Sequence, residues 1–151
     1  MIDLCFPNYE FRTKNKHNKK YIFDEIRKKF ILLTLEEWVR QNCVKYLINE
    51  KKVSKELITV EKKIKINNLT KRYDIAVFKP NGGIFLLVEC KSPNITINQE
   101  TFNQISIYNS KINADFLMVT NGLFNYYCSI DYSNQCYKFV KDFPKYKLKQ
   151  Q

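Results

Sequence analysis

Two apolar segments joined by a glycine turn constrain the fold of this chain most strongly. The segments Tyr73–Lys79 and Ile84–Lys91 flank the sequence Pro80-Asn81-Gly82-Gly83. Asn-Gly between two hydrophobic runs is the strongest short-range signal for a β-hairpin. The pattern therefore predicts two paired antiparallel strands in the middle of the chain.

The predicted register brings two acidic residues together. Centring the hairpin on its Asn-Gly turn aligns Asp74 with Glu89, whose Cβ atoms would lie about 4.5–5.5 Å apart. Because side chains alternate along a strand, Asp74 would share one face with Glu89 and Lys91, and Tyr73 would lie on the other. Directly opposed like charges destabilise a sheet, so this arrangement calls for a compensating cation.

Two interpretations of the acidic pair stay open. In the first, Asp74, Glu89 and Lys91 form a buried structural ion network. In the second, the carboxylates hold Mg²⁺, which takes oxygen ligands and usually keeps waters or phosphate oxygens as well. Such a metal would hold a phosphodiester and lower the pKa of a bound water. Lys91 would then position that water or stabilise charge developing on the phosphate.

A second group of candidate residues lies on a predicted helix. Thr34 followed by Glu37 has the spacing of a capping box, which predicts a helix running to about Asn49. Glu36 and Arg40 lie four residues apart and would form an ordinary i,i+4 ion pair. Alternatively, Glu36, or Glu37 in its place, is an additional metal ligand, and Arg40 contacts DNA.

A later helix, predicted from about Gln99 to Asn113, carries further candidates. Gln104 and Tyr108 are four residues apart and hence on one face, with Lys111 close by. The Gln-x-x-x-Tyr pair could hydrogen-bond a phosphate or hold the catalytic lysine, and Lys111 could contact DNA. An ordinary half-exposed helical face explains the same spacing.

The length of 151 residues indicates a single domain. Within it, residues 1–33 are predicted to form an N-terminal hairpin, with strands Tyr9–Arg12 and Tyr21–Phe23 on either side of a basic, solvated turn. Residues 34–141 form the core, in which helices and strands follow the order α-β-β-β-α-β-β-β. This order indicates a mixed sheet flanked by helices. Residues 145–151 are expected to be a frayed tail.

The composition excludes several kinds of functional site and several classes of protein. The net charge of +11 points to nucleic acid, but 22 of the 26 basic residues are lysine, so A/T-rich codon usage explains the charge equally well. Five scattered cysteines without a C-x-x-C pair give no disulfide framework or zinc cluster. With His17 as the single histidine, a histidine-activated nucleophile is excluded. We find no transmembrane run or secretory signal, and expect a cytoplasmic protein away from membranes.

At this point the chain resembles a known family. Four parts of the chain resemble the N-terminal nuclease domain of the type I restriction enzyme R subunit. They are the helical segment Glu36–Gln41, the strand with Asp74, the segment Val88–Pro93 and the pair Gln104-x-x-x-Tyr108. The chain is similar above all to the small stand-alone proteins grouped with that domain.

The resemblance implies a restriction-endonuclease-like PD-(D/E)XK fold with an αβββαβ core, and Mg²⁺- or Mn²⁺-dependent cleavage of DNA phosphodiester bonds. It makes Asp74 and Glu89 metal ligands and Lys91 the catalytic lysine. It matches Gln104 and Tyr108 to the Q-x-x-x-Y element. Glu36 corresponds to the helical acid of the family.

The resemblance also bears on partners. DNA is the implied substrate, and a separate restriction or repair subunit is a further partner to expect, because these 151 residues contain no Walker motif for ATP-driven translocation. The alternative is a non-catalytic DNA-binding or assembly module that keeps the nuclease fold. Substrate form, sequence specificity and oligomeric state are left open by the sequence.

Overall fold

The structure is a computed structural model that describes residues 1–66, 68–109, 112–134 and 136–146. The strands are β1 (Thr13–Lys16), β2 (Lys19–Asp24), β3 (Lys29–Leu32), β4 (Ile58–Ile66), β5 (Leu69–Phe78), β6 (Ile84–Cys90), β7 (Ala114–Thr120), β8 (Asn125–Asp131) and β9 (Cys136–Val140). The helices are α1 (Leu35–Asn49) and α2 (Gln99–Asn109), and a single 3-10 turn, Lys55–Leu57, precedes β4.

Six strands form the main sheet in the order β4-β5-β6-β7-β8-β9. Neighbouring strands are antiparallel except for β6 and β7, which are parallel and are connected through α2. A parallel pair needs such a crossover, because a tight turn can join only antiparallel strands. The succession α1-β4-β5-β6-α2-β7 confirms the predicted αβββαβ core, with β4 at a sheet edge.

Helix α1 covers one face of the main sheet. Its N-cap is Thr34, whose hydroxyl oxygen accepts a hydrogen bond from the Glu37 backbone N–H at 3.0 Å, as the capping-box spacing predicts. Val39, Cys43 and Leu47 are fully buried and pack against apolar residues of β5 and β6. The predicted helix from Thr34 to Asn49 is therefore confirmed.

Helix α2 covers the opposite face. Phe102 and Ile105 pack in a second cluster with Leu117 of β7. Asn98 caps the helix, because its side-chain oxygen accepts a hydrogen bond from the Thr101 backbone N–H at 2.8 Å. The described part of the helix is Gln99–Asn109, and residues 112 and 113 are not helical, so the predicted end at Asn113 is wrong.

The N-terminal region corrects the prediction of a hairpin around a solvated basic turn. The basic run itself forms β1 and the start of β2, so the predicted strand Tyr9–Arg12 is wrong. The turn consists only of His17 and Asn18, with φ of 50° and 59°. Two successive positive φ values are what a two-residue hairpin requires, and asparagine tolerates them well. Strand β3, which the sequence prediction missed, completes a separate three-stranded sheet.

The central hairpin has the predicted register in its middle but not at its ends. Ala76 pairs with Leu87 and Ile75 with Val88, as expected, and the register shifts between Val77 and Phe78 near the turn. Pairing of β5 with β6 ends at Ile75, although β5 continues to pair with β4 back to Leu69. The two central strands therefore separate beside Asp74.

Part of the expected tail packs on the core. The Tyr146 hydroxyl donates a hydrogen bond to the Phe78 carbonyl oxygen at 3.2 Å, and its ring centroid lies 5.0 Å from that of Phe85. Residues 147–151 lie outside the described part of the chain. None of the helices in the described ranges has the length and apolar character needed to span a bilayer.

Replacing Leu47 tests the packing of α1. Leu47 is fully buried, whereas Leu35 on the same helix is 38% exposed. We expect Leu47→Ala to lower the free energy of unfolding by about 2–5 kcal/mol, because it removes buried methyl groups and leaves a cavity. The control Leu35→Ala should change it by only about 0.5 kcal/mol. Urea denaturation followed by circular dichroism measures both, and equal losses would contradict the packing of α1 described above.

Candidate active site

The backbone of β5 changes the face it presents at Asp74. Ile75 and Val77 pack in the cluster beneath α1, whereas Tyr73 packs with Ala76 in the cluster beneath α2. Strict alternation would place Tyr73 on the same face as Ile75, so the predicted face of Tyr73 is wrong. The reversal occurs where β5 leaves β6, and Asp74 lies at that point.

The Asp74 carboxylate fills the gap between the separating strands. Its Oδ2 atom accepts a hydrogen bond from the backbone N–H of Cys90 in β6 at 2.7 Å. Its Oδ1 atom accepts one from Nη2 of Arg40 in α1 at 3.1 Å. The side chain keeps 16% of its surface exposed. Asp74 is thus fixed on the α1 side of the sheet and still reaches solvent.

Arg40 is the centre of a buried charge cluster. Its guanidinium, 5% exposed, forms ion pairs with four carboxylates, those of Glu36 (3.0 Å), Glu37, Glu61 (2.7 Å) and Asp74 (3.1 Å). Burial by itself would lower the pKa of Arg40, but attraction by Glu37 and Asp74 outweighs it and raises the pKa. Arg40 therefore stays charged and joins α1, β4 and β5.

Glu61 is a member of this cluster that the sequence prediction missed. It lies in β4 with a φ of 56° and also forms an ion pair with Arg72. A positive φ is rare for a residue other than glycine and is usually found where the surroundings enforce it. The sequence offered one clue to Glu61: it is the only acidic residue of β4, whose other charged residues are all lysines.

Glu37 extends the cluster toward the N-terminal sheet. Its Oε1 atom accepts hydrogen bonds from Arg27 Nη2 at 2.6 Å and from Gln41 Nε2 at 2.8 Å. Arg27 and Gln41 also bind Asp24, which is buried at the end of β2. Glu37 is thus committed to structural ion pairs, whereas the neighbouring Glu36 keeps 48% of its side chain exposed.

Glu89, the second acid of the predicted pair, is a buried carboxylate whose hydrogen bonds are poorly satisfied. Its Oε1 atom is buried and lies 3.3 Å from Lys71 Nζ, without a well-aligned hydrogen bond from the described residues. Burial and then repulsion by Asp74 raise the pKa of Glu89 to about 7. Asp74 and Glu89 do not form a ladder pair, but Asp74 binds the backbone N–H of Cys90, the residue that follows Glu89.

Lys91 follows Glu89 by two residues at the end of β6. Its backbone N–H donates to the Thr120 carbonyl oxygen at 2.8 Å, which continues the pairing of β6 with β7. Its positive charge also lowers the pKa of Glu89, although more weakly than that of Lys71 does. Within the described ranges the half-buried Lys91 amine forms neither an ion pair nor a hydrogen bond, so it is available to a ligand.

Of the candidates predicted on the later helix, only the side chain of Gln104 is described, and it is not joined to this cluster. Gln104 is exposed, and its side chain makes no hydrogen bond with the described residues. The side chain of Tyr108 and the whole of Lys111 lie outside the part of the chain that the structure describes.

Asp74 and Glu89 fit the needs of a hard divalent cation. In the described part of the chain, no three His, Cys, Asp or Glu side chains are grouped so that they could hold a metal. Mg²⁺ needs fewer, because it is usually bound by one or two carboxylates, with waters and phosphate oxygens completing its shell. The poorly satisfied Oε1 of Glu89, beside a second carboxylate that repels it, is the donor that such an ion would stabilise.

The raised pKa of Glu89 predicts a pH-dependent stability. Folding favours the protonated form of Glu89. Its contribution to the free energy of unfolding is therefore fully present below about pH 4.5 and is lost as the pH rises through 7. We expect Glu89→Gln to equal the wild type near pH 4.5. At about pH 8 in EDTA the variant should be more stable by roughly 3 kcal/mol.

Urea denaturation across this pH range measures the difference between wild type and variant. The control Glu10→Gln changes an exposed carboxylate and should keep the wild-type profile. A Glu89→Gln curve parallel to that of the wild type would contradict the burial of an ionised Glu89.

Comparison with known proteins identifies the family. Residues 35–144 match the family model described as type I restriction enzyme R protein N terminus (HSDR_N). The chain is also similar in structure to a candidate nuclease of DUF820 from Anabaena variabilis ATCC 29413, at 13% identity and a TM-score of 0.48, over 85% of this chain and 80% of the other. No curated protein matches. Because the family model covers most of the chain, including the whole charge cluster, the chain belongs to the type I restriction enzyme R protein N-terminal family.

Proposed function

We propose that this chain is a DNA nuclease that hydrolyses phosphodiester bonds with Mg²⁺ or Mn²⁺. The observation that carries the proposal is the hydrogen bond between Asp74 and the Cys90 N–H at the point where β5 separates from β6, because Cys90 lies between Glu89 and Lys91 in the sequence. Membership of the restriction enzyme family supports a nuclease-like function in general, and the acidic pair supports a metal-dependent one.

The proposal assigns distinct roles to the three residues. Asp74 and Glu89 would hold the metal, which supplies Lewis-acid activation of the phosphate and a more acidic water when bound. Lys91 would orient the attacking water or stabilise the charge that develops on the phosphate. Both roles need a cation that is half-buried and not engaged by an internal carboxylate, as Lys91 is in the described structure.

Other residues have supporting roles in the proposal. Glu36 is the better helical candidate for a water or metal ligand, because it is half-exposed, whereas Glu37 is buried in ion pairs. Arg40 positions Asp74, and its four carboxylate contacts disfavour a direct contact with DNA. Gln104 and Tyr108 on α2, together with Lys111, remain proposed phosphate contacts. We infer a cytoplasmic location and a separate restriction or repair subunit as partner from the family alone.

A second candidate function is a non-catalytic DNA-binding or assembly module with the same fold. The observation in its favour is that both oxygens of Asp74 already have partners, Arg40 and the Cys90 N–H. In that case the cluster would serve only to hold α1 against the sheet. The two functions differ in whether metal and Lys91 matter for any measurable reaction.

Cleavage assays separate the two functions. We expect wild-type protein to cut DNA in Mg²⁺ or Mn²⁺, and Asp74→Ala and Lys91→Ala to reduce turnover by about 10²-fold or more while DNA binding is largely kept. Lys141→Ala, which removes an exposed lysine of the C-terminal segment, is the matched control and should keep full turnover. Wild-type protein that leaves duplex, nicked and single-stranded DNA intact would instead support the non-catalytic module.

Metal-dependent stability tests the proposed ligands without any reaction. At about pH 8, where Glu89 is largely ionised, saturating Mg²⁺ should raise the melting temperature, because a ligand that binds only the folded state stabilises it. The shift should be lost in Asp74→Ala and in Glu89→Gln and kept in Glu10→Gln. An equal shift in all four proteins would show that Mg²⁺ acts elsewhere.

A further inference from the structure

The N-terminal sheet has one buried face and one exposed face that is rich in basic residues. Lys14 pairs with Tyr21 and Lys16 with Lys19 in the β1–β2 register, so these side chains share a face. The alternate position in β2, Ile22, is fully buried on the reverse face. The lysines of this face therefore point away from the body of the protein.

Aromatic rings hold part of this basic surface in place. Phe23 and Phe30 are paired across β2 and β3 with ring centroids 5.2 Å apart. The Arg12 guanidinium lies 4.5 Å from the Phe23 centroid, and the Lys14 amine lies 4.1 Å from that of Phe30. Such cation–π contacts restrict the side chains without neutralising them. We refer to Arg12, Lys14, Lys16 and Lys19 as the basic face.

The charge of the basic face is not balanced within the protein. Residues 12–20 contain five basic residues and no acid. No residue of the basic face forms an ion pair with any residue that the structure describes, and all four are exposed. Lys16 and Lys19 stand directly opposite each other, an arrangement that weakens a β-ladder. A bound polyanion would attract both lysines and so offset the repulsion between them.

We propose that the basic face binds the phosphodiester backbone of DNA. The choice of DNA as the polyanion rests on the proposed nuclease function, whereas the anionic chemistry follows from the surface itself. A two-stranded ribbon such as β1–β2 is narrow enough to lie along a DNA groove, and lysines there would contact phosphates rather than read bases. The basic face precedes residues 35–144, the part of the chain that matches the family model.

Contacts within the protein connect the basic face to the candidate active site. The loop between β2 and β3 carries Arg27, which binds Asp24 in the N-terminal sheet and Glu37 in α1. Glu37 in turn pairs with Arg40, which holds Asp74. DNA bound on the basic face would therefore be held by a sheet whose position relative to the acidic pair is fixed by these ion pairs.

Binding in the absence of metal tests the proposal. We would measure fluorescence anisotropy of labelled duplex and single-stranded oligonucleotides in EDTA with a variant carrying Lys16→Gln and Lys19→Gln. The matched control carries Lys138→Gln and Lys141→Gln, which remove the same charge from exposed positions in and after β9, at the other edge of the main sheet.

The basic-face variant should bind DNA about tenfold more weakly at low salt, with a slope of log K against log salt that is smaller by about two. The control variant should stay within about twofold of the wild type. A loss on either oligonucleotide supports the proposal, and the larger loss identifies the strand form that the face prefers. Equal binding by both variants, or an equal loss in both, overturns it.

Cleavage distinguishes failure of this inference from failure of the proposed function. At subsaturating DNA the basic-face variant should cut more slowly than the wild type because it binds less DNA, whereas the variant with Lys138→Gln and Lys141→Gln should keep the wild-type rate. If this variant loses binding and the wild-type protein is inactive, the proposed DNA binding by the basic face is supported and only the proposed nuclease function is overturned. Unchanged binding with intact cleavage would overturn only the basic face.

Discussion

The buried guanidinium of Arg40 is the interaction on which the candidate site depends. It draws carboxylates from α1, β4 and β5 to one point, beside the gap that opens between β5 and β6. Burying an ion pair costs desolvation free energy, and the attraction between the charges offsets that cost only when their hydrogen bonds are well satisfied. Arg40 has four acidic partners at its two Nη atoms, whereas its buried Nε has no hydrogen-bond partner among the described residues, and the guanidinium also fixes the orientation of Asp74. The backbone reversal at Asp74 and the positive φ of Glu61 are both found at this cluster.

The core of the fold could be predicted from local patterns, because each element carried its own signal. The capping spacing at Thr34 fixed the start of α1, and the Asn-Gly turn gave the hairpin register that Ala76 and Leu87 confirm. The N-terminal sheet could not be predicted in the same way. Its first strand, Thr13–Lys16, consists mostly of Lys and Asn, which are depleted in strands. The tight hairpin there depends on two residues with positive φ, His17 and Asn18.

Part of the charge cluster could be predicted from the sequence, but Glu61 and the long-range contacts of Arg40 could not. Spacing along the hairpin was enough to bring Asp74 and Glu89 together as candidates, and i,i+4 spacing gave the pair of Glu36 and Arg40. The contacts of Arg40 with Glu61 and Asp74 join residues that are distant in sequence. They depend on how α1 packs across the sheet, which no local pattern encodes.

The Arg40 cluster also bears on how the proposed metal site could form. Asp74 presents Oδ1 to Arg40 and Oδ2 to the Cys90 N–H, so a dication at Asp74 would compete with the guanidinium for Oδ1. Breaking a buried ion pair is usually costly because one charge is left unpaired. Here Arg40 would still have Glu36, Glu37 and Glu61, and the dication would relieve the repulsion between Asp74 and Glu89 that raises the pKa of Glu89. The exchange would therefore leave no buried charge alone, which makes the cluster compatible with metal binding as well as with the stability of the fold.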